Sequence, residues 1–218
     1  MSKEKIARRV ARDLHDGDVV NLGIGLPTMV ADYVPEGIEI TLQSENGILG
    51  MGPLAGEGLA NKYLINSGGQ NVTVLRGASY FDSAFSFAII RGGHVDMTVL
   101  GALQVDEKGN LASHIVPGKM VPGMGGAMDL ARHAKEVIVL TTHTDKKGNP
   151  KIKEKCELPL TAEKCVSLII TDIAVIKVTD DGLLLTEVFD DVEVDEVIEK
   201  TGAKLKVADN IRRIKYDD

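Results

Sequence analysis

The chain has 218 residues, of which 44% are hydrophobic and 26% charged, and its formal net charge is −7. These values are typical of a globular chain with a full core and argue against intrinsic disorder. The Lys and Arg residues are scattered, which argues against a nucleic-acid partner because phosphate binding depends on clustered basic side chains. No run of about 18 apolar residues is present, so the sequence predicts no membrane span.

Cysteine and histidine are sparse in this sequence. Cys156 and Cys165 form no CxxC pair and are too few for a disulfide framework. The five histidines fall singly, without the short spacings of zinc ligands, so we expect no metal site. The amino terminus lacks the continuous apolar segment of a signal peptide, and we therefore expect a cytoplasmic protein.

Apolar runs of strand length alternate with helical patterns along the chain. The predicted strands are Val19–Leu22, Ile38–Leu42, Val72–Leu75, Val95–Leu100, Val137–Leu140 and Leu168–Ile170. The predicted helices are Lys5–Leu14, Pro27–Tyr33, Ser83–Ile90, Ala127–His133 and Val192–Lys200. This alternation predicts an α/β fold in which helices cover a single open, mostly parallel sheet.

The carboxyl-terminal third predicts antiparallel pairing at one sheet edge. Two apolar runs, Ile173–Val178 and Leu183–Val188, flank a turn at residues 179–182. No proline-rich, low-complexity or repeated stretch divides the chain. We therefore predict one domain over residues 1–218.

A polar turn at residues 44–47 carries the most informative carboxylate. Glu45 follows the predicted strand Ile38–Leu42 and lies between Ser44 and Asn46-Gly47. Open α/β proteins bind their ligands at the carboxyl ends of the strands, and turns of Ser, Asn and Gly can aim a side chain and offer nearby N–H groups. The position predicts that Glu45 is a covalent nucleophile.

Three glycine-rich segments are candidate anion sites. Residues 117–130 combine glycines with Met120, Met124 and Met128 ahead of a predicted helix; this is either a ligand-facing wall that stabilises an oxyanion or a flexible surface loop. Residues 23–27 present N–H groups to an anion or form a tight turn, and they lack the third glycine of a dinucleotide site. Residues 91–94 are a third candidate or simply end a helix.

The segment Leu-Gln-Ser-Glu-Asn-Gly-Ile-Leu-Gly at residues 42–50 resembles the nucleophile motif of the family I coenzyme A transferases, in particular of their B (beta) subunit, of the 3-oxoacid or acetate-butyrate-acetoacetate type. Further segments resemble that family in the correct order through Thr186: residues 21–33, 85–93, 98–104, 115–119, 123–130 and 156–161. The resemblance implies a coenzyme A transferase-like fold of the NagB/RpiA-like type.

The resemblance also implies a mechanism. The glutamate, here Glu45, attacks an acyl-CoA to give an acyl-glutamyl anhydride, and the released CoA thiolate then forms a glutamyl thioester. It implies that the N–H of Gly126 contributes to the oxyanion hole. Ser44, Asn46 and Gly47 are then expected to position the nucleophile and line the substrate site. Expected CoA contacts are a phosphate at Lys119 and the pantetheine arm beside Gly125 and Ala127.

The same resemblance implies a separate A (alpha) subunit that supplies the other oxyanion donor, in an A2B2 heterotetramer. Coenzyme A is then a substrate, and no cofactor is expected. Pro53 to Tyr63 and His114 depart from the family pattern, which leaves the acyl preference open. We expect short acids such as acetate, butyrate and acetoacetate, with succinate as an alternative acceptor.

Two other functions remain open at the level of the sequence. A thioester hydrolase would use the same Glu45 with water as the final acceptor. A non-catalytic small-ligand sensor is the other, since related folds bind sugar phosphates, but it leaves the motif at residues 44–47 unexplained.

Overall fold

A ten-stranded sheet and a three-stranded sheet form the framework of the protein. The computed structural model describes residues 2–118 and 123–215. The strands are β1 (Val19–Leu22), β2 (Thr41–Ser44), β3 (Ile48–Leu54), β4 (Val72–Tyr80), β5 (Met97–Leu100), β6 (Gln104–Asp106), β7 (Leu111–Ala112), β8 (Glu136–Leu140), β9 (Ile152–Lys153), β10 (Leu168–Ile170), β11 (Ala174–Thr179), β12 (Gly182–Phe189) and β13 (Leu205–Ile214).

The large sheet has a parallel centre flanked on both sides by antiparallel pairs. Its strand order is β13-β12-β11-β10-β8-β5-β1-β2-β3-β4. The five strands from β10 to β2 are parallel to one another, whereas β3, β4 and β11 pair antiparallel. The edge strand β13 pairs parallel with β12. The predicted α/β fold is confirmed, and so is the antiparallel pair β11–β12. A single domain over residues 1–218 stays a prediction.

The described residues form four α-helices and one 3₁₀ helix beside the sheets. They are α1 (Ser2–Ala11), the 3₁₀ helix Leu26–Tyr33, α2 (Ser83–Arg91), α3 (Ala127–His133) and α4 (Val194–Lys200). In α1, Ile6 and Val10 are fully buried while Lys3 and Glu4 are exposed, so the amphipathic pattern places one face on the core. The segment 27–33, predicted as an ordinary helix, is 3₁₀ instead.

Three parts of the fold differ from the sequence prediction. Strand β3 contains Gly50, Gly52 and Pro53, which disfavour a strand. The glycines are there because β4 approaches closely: a Cβ on Gly52 would lie 2.6 Å from Thr73 Oγ1. The strands β6, β7 and β9 have only two or three residues each, too few to show a pattern. The edge strand β13 is largely exposed, so it lacks an apolar run.

The central strands are apolar on both faces, as expected for a parallel sheet covered on two sides. All four residues of β5 are buried, as are the last four of β8. Polar residues interrupt this core at one level, where Gln43 of β2, Asn21 of β1 and Thr98 of β5 stand side by side in register. This level lies next to the carboxyl end of β2, which ends at Ser44.

Within residues 2–118 and 123–215, no helix combines the length and the apolar character needed to cross a membrane.

Candidate active site

Glu45 lies in the short turn that joins β2 to β3. Gln43 pairs with Leu49 and Ser44 with Ile48, so three residues make the whole connection. Gly47 takes φ +116°, and a Cβ there would lie 2.0 Å from the carbonyl oxygen of Phe81. Its N–H donates to Ser44 O at 3.0 Å, and Gly47 O accepts from Phe81 N at 3.1 Å. Only glycine fits this turn, and the turn fixes where Glu45 emerges.

The side chain of Glu45 is half-buried and has two close neighbours from distant parts of the chain. The amide Nδ2 of Asn21 lies 3.4 Å from Glu45 Oε2. On another side, a Cβ built on Gly126 would stand 3.1 Å from Glu45 Cγ and 3.4 Å from Cδ. The structure thus brings the glutamate of residues 42–50 against the glycine-rich segment, about 80 residues away in sequence.

Gly126 is buried and immediately precedes α3. Its carbonyl accepts from Leu130 N at 3.0 Å, while Ala127 N donates to Met124 O at 3.2 Å. Gly125 is exposed with φ +55°, a conformation that favours glycine. The backbone around Gly126 therefore flanks the carboxylate without a side chain between them. Lys119 lies outside the described residues.

Ser44 and Asn46 hold a neighbouring segment against the turn. Ser44 Oγ accepts from Ser67 N at 3.3 Å, and Asn46 Nδ2 donates to Ile65 O at 2.7 Å. Ser44 is buried, whereas Asn46 is exposed. Both residues thus tie residues 65–67 to the turn that carries Glu45; their predicted substrate contacts stay a prediction.

A buried polar row lies beneath Glu45, and the sequence reasoning missed it. Asn21 Nδ2 donates to Gln43 Oε1 at 2.7 Å and to Gln43 O at 3.1 Å, and Gln43 Nε2 donates to Ser86 Oγ at 3.0 Å. All three side chains are at least 99% buried. The available signal was an asparagine within Val19-Val20-Asn21-Leu22, since an uncharged amide in a core strand requires a hydrogen-bond partner.

The other glycine-rich candidates have structural roles. Gly23 N donates to Val99 O at 2.8 Å, and a Cβ on Gly23 would stand 3.0 Å from the same oxygen, so Gly23 permits the close approach of β1 to β5. Gly92 caps the end of α2 with its N–H bonded to Ala88 O. Arg91 Nε donates to Asp129 Oδ1 at 2.7 Å and joins α2 to α3.

The cysteines have properties unlike those of a nucleophile. Burial raises the pKa of Cys156 to about 12 and that of Cys165 to about 11, so both remain thiols at neutral pH. Among the described residues, no group of three or more His, Cys, Asp or Glu side chains could hold a metal ion. The reactive group that this geometry offers is the half-buried carboxylate of Glu45, beside a bare glycine backbone.

These features define a class: an α/β protein with a half-buried carboxylate at the carboxyl end of a parallel strand, facing a glycine backbone that precedes a helix. Residues 3–200 match the family model described as coenzyme A transferase. The chain belongs to the coenzyme A transferase family.

Similar proteins extend over nearly the whole chain. The beta chain of the acetate CoA-transferase of Escherichia coli K12 is 54% identical over 216 residues, which cover 99% of each chain. The B subunit of the probable succinyl-CoA:3-ketoacid coenzyme A transferase of Bacillus subtilis 168 is 48% identical over 210 residues, which cover 96% of this chain and 97% of that one.

A solved structure agrees in fold. The apoenzyme of the acyl-CoA transferase YdiF from Escherichia coli O157:H7 matches with a TM-score of 0.79 at 23% identity. The match covers 98% of this chain and 43% of YdiF, so the chain spans less than half of that protein. At this identity the likeness concerns the fold alone.

Proposed function

We propose that this chain is the B subunit of a coenzyme A transferase that moves CoA between a short-chain acyl-CoA and a carboxylic acid. The names of the two similar proteins support this activity. The observation that carries the proposal is the position of Glu45, fixed by a glycine turn at the end of β2 and flanked by Gly126.

The proposed reaction passes through covalent intermediates on Glu45. The carboxylate attacks the thioester carbonyl, the C–S bond breaks, and an acyl-glutamyl anhydride and CoA thiolate result. The thiolate then attacks the glutamyl carbonyl, releasing the first acid and leaving a glutamyl-CoA thioester. The second acid reverses these steps. Covalent catalysis divides one difficult exchange into steps of similar energy.

The surrounding residues have proposed roles in this sequence. The N–H of Gly126 stabilises the oxyanion of the tetrahedral intermediate, and such a donor elsewhere contributes about 10²–10³ in rate. Ser44, Asn46 and Gly47 fix the turn, while Gly125 and Ala127 border the pantetheine arm. Lys119 pairs with a CoA phosphate. Coenzyme A is a substrate here, and the reaction uses no further cofactor.

The active form is proposed to be a heterotetramer, A2B2, with an A subunit that supplies the second oxyanion donor. The similar proteins are themselves named as subunits, which supports a partner chain. The proposed acids are acetate, butyrate and acetoacetate, with succinate as an alternative acceptor. Full transferase turnover by the isolated chain would contradict the heterotetramer.

The proposal is tested by trapping the covalent intermediate. The reconstituted complex is incubated with acyl-CoA, treated with sodium borohydride, which reduces a glutamyl thioester, and analysed by peptide mass spectrometry. We expect modification at Glu45 that disappears when a carboxylic acid is added before the borohydride. An unmodified Glu45 peptide in a complex that binds acyl-CoA would favour the sensor instead.

The matched variant is Glu45→Asp, which keeps the charge and shortens the side chain by one methylene. We expect turnover to fall by at least about 10²-fold, because a misplacement of about 1 Å can cost that much. Turnover close to that of the unmodified complex would mean that Glu45 takes no part in the reaction.

The hydrolase alternative is tested with the unmodified complex. Release of free CoA without an acid acceptor, at the same rate as with one, would identify a thioester hydrolase.

A further inference from the structure

We propose that Asn21 is a positioning residue that holds the Glu45 carboxylate in its attacking orientation. The proposal rests on the proposed function, because it assigns a role to Asn21 in the formation of the glutamyl thioester. Its basis is the contact of 3.4 Å between Asn21 Nδ2 and Glu45 Oε2. This bond is long, but catalytic hydrogen bonds often tighten only when substrate is bound.

The orientation of the Asn21 amide is fixed by its surroundings. Its Nδ2 faces the backbone carbonyl oxygen of Gln43 at 3.1 Å, a group that can only accept. A flipped amide would place Oδ1 against this oxygen and against the carboxylate of Glu45, so three acceptors would face one another. The amide therefore turns its NH₂ group toward Glu45, with one N–H on Gln43 Oε1 and the other shared between Gln43 O and Glu45 Oε2.

The side chain of Gln43 is in turn held by a hydrogen bond to α2. Its Oε1 accepts from Asn21 Nδ2 at 2.7 Å, which leaves its Nε2 to donate to Ser86 Oγ of α2 at 3.0 Å. Both Asn21 and Gln43 are 1% exposed, and Ser86 is fully buried. A side chain locked by packing and by a second layer of hydrogen bonds can hold a reacting group to within a fraction of an ångström.

This arrangement leaves buried polar atoms without hydrogen-bond partners among the described residues. Asn21 Oδ1 is buried and has no hydrogen-bond partner among the described residues, and the same holds for Thr98 Oγ1 at the adjacent register position. A buried polar atom without a partner lowers stability, and the neighbours of Asn21 within β1 are apolar. The proposed role of the NH₂ group at Glu45 gives a reason for an asparagine at a position where its amide oxygen lowers stability.

A purely structural role for Asn21 makes a different prediction. In that case Asn21 only satisfies Gln43, and its replacement lowers the melting temperature without slowing the attack of Glu45 on bound acyl-CoA. The positioning role predicts instead that the rate of Glu45 labelling at saturating acyl-CoA falls, while the half-saturating acyl-CoA concentration changes little. The two roles are therefore separated by kinetics and not by stability.

The experiment compares three variants in the complex reconstituted with the partner chain. Asn21→Asp keeps the shape but removes the NH₂ donor, and Asn21→Leu removes the amide without adding charge. Thr98→Val is the matched control, because it changes a buried polar residue of the same row whose hydroxyl has no partner among the described residues. Single-turnover labelling of Glu45, quenched with borohydride, is measured over a range of acyl-CoA concentrations, together with the melting temperature.

We expect both Asn21 variants to label Glu45 about 10²-fold more slowly at saturation, the penalty typical of a misplaced reacting group. The half-saturating acyl-CoA concentration should change by less than about threefold, and Thr98→Val should label at the rate of the unmodified complex. A folded Asn21→Leu variant that labels at that rate, or that loses only affinity, overturns the positioning role. Absence of labelling in the unmodified complex overturns the proposed function itself.

Discussion

At the scale of single residues, the candidate site depends on the absence of a side chain at Gly126. A Cβ at this position would stand 3.1 Å from Glu45 Cγ, closer than side-chain atoms normally approach. Any side chain at residue 126 would therefore force Glu45 to shift by a few tenths of an ångström. Gly126 has φ −79°, so its conformation suits any residue and space is the deciding factor.

The lack of space around residue 126 predicts the effect of Gly126→Ala. The added methyl group should displace the Glu45 carboxylate and lower turnover by about 10²-fold, while the melting temperature stays nearly constant because α3 gains a residue compatible with its backbone. Steady-state kinetics and thermal unfolding measure both effects. Gly123→Ala is the control, since a Cβ there meets nothing within 4 Å. Equal losses in the two variants would mean that crowding of Glu45 is not the cause.

At the scale of elements, the hairpin β2–β3 and the start of α2 form one unit. The turn at Gly47 exchanges hydrogen bonds with Ser44 and Phe81, and the next residue, Asp82, caps α2 by accepting from Phe85 N at 2.8 Å. The rings of Phe81 and Phe85 also pack edge to face, with their centroids 5.3 Å apart. The position of the turn that carries Glu45 and that of α2 are therefore coupled.

The coupling predicts that Gly47→Ala is strongly destabilising. A side chain at φ +116° is strained, and its Cβ would overlap the carbonyl oxygen of Phe81 at 2.0 Å. We expect the free energy of unfolding to fall by at least about 2 kcal/mol, measured by denaturant titration. Gly56→Ala, where a Cβ meets nothing within 4 Å, should leave it almost unchanged. A stable Gly47→Ala variant would show that the turn can be rebuilt.

At the scale of the whole molecule, polar contacts join parts of the chain that are far apart in sequence. Arg9 of α1 donates two hydrogen bonds to Glu187 of β12, at 2.7 and 3.0 Å, and Arg212 of β13 binds the same carboxylate. Burial disfavours the charge on Glu187, but the bonds and charges of Arg9 and Arg212 outweigh it, and its pKa is lowered. The first helix is thereby fastened to the last strands.

A buried histidine makes a second long-range connection. His143 follows the carboxyl end of β8; its Nδ1 lies 3.1 Å from Thr171 Oγ1 and its Nε2 lies 2.9 Å from Thr201 Oγ1, at the end of α4. Thr201 Oγ1 itself donates to Val197 O at 2.7 Å, so it accepts from Nε2–H. The single hydroxyl proton of Thr171 has two acceptors within reach, His143 Nδ1 and Ala174 O at 3.2 Å. Burial favours the neutral ring.

The neutral ring predicts how stability depends on pH. Burial lowers the pKa of His143 from 6.5 to about 4, so between these values the unfolded chain binds a proton that the folded protein does not. The free energy of unfolding should therefore fall as the pH drops from about 6.5 to about 4, by up to roughly 3 kcal/mol from this group. His143→Gln should flatten this dependence in thermal unfolding measured across the range.

The exposed His15, whose side chain is 78% accessible, provides the control for that measurement. His15→Gln should preserve the pH dependence of the unmodified protein. An unchanged slope in His143→Gln would place the origin of the acid sensitivity in the carboxylates instead.

Local patterns in the sequence were sufficient for much of the fold and for the choice of Glu45 as the candidate nucleophile. The central strands β1, β5, β8 and β10 were predictable because strands buried on both faces are nearly continuous apolar runs. Glu45 was recognisable because a carboxylate in a Ser-Glu-Asn-Gly turn directly after such a strand occupies the edge where α/β proteins bind ligands. Both inferences use information contained within about ten consecutive residues.

Tertiary structure alone decided which distant residues meet at that carboxylate. Asn21 and Gln43 lie side by side only because β1 and β2 pair in one particular register, and a shift by one residue would turn each side chain to the other face. The contact between Gly126 and Glu45 likewise requires the start of α3 to lie beside the turn that follows β2. Even β3 was hidden in the sequence, because its glycines are explained by the close approach of β4. Sequence patterns report on neighbours along the chain, whereas register and close approach depend on neighbours in space.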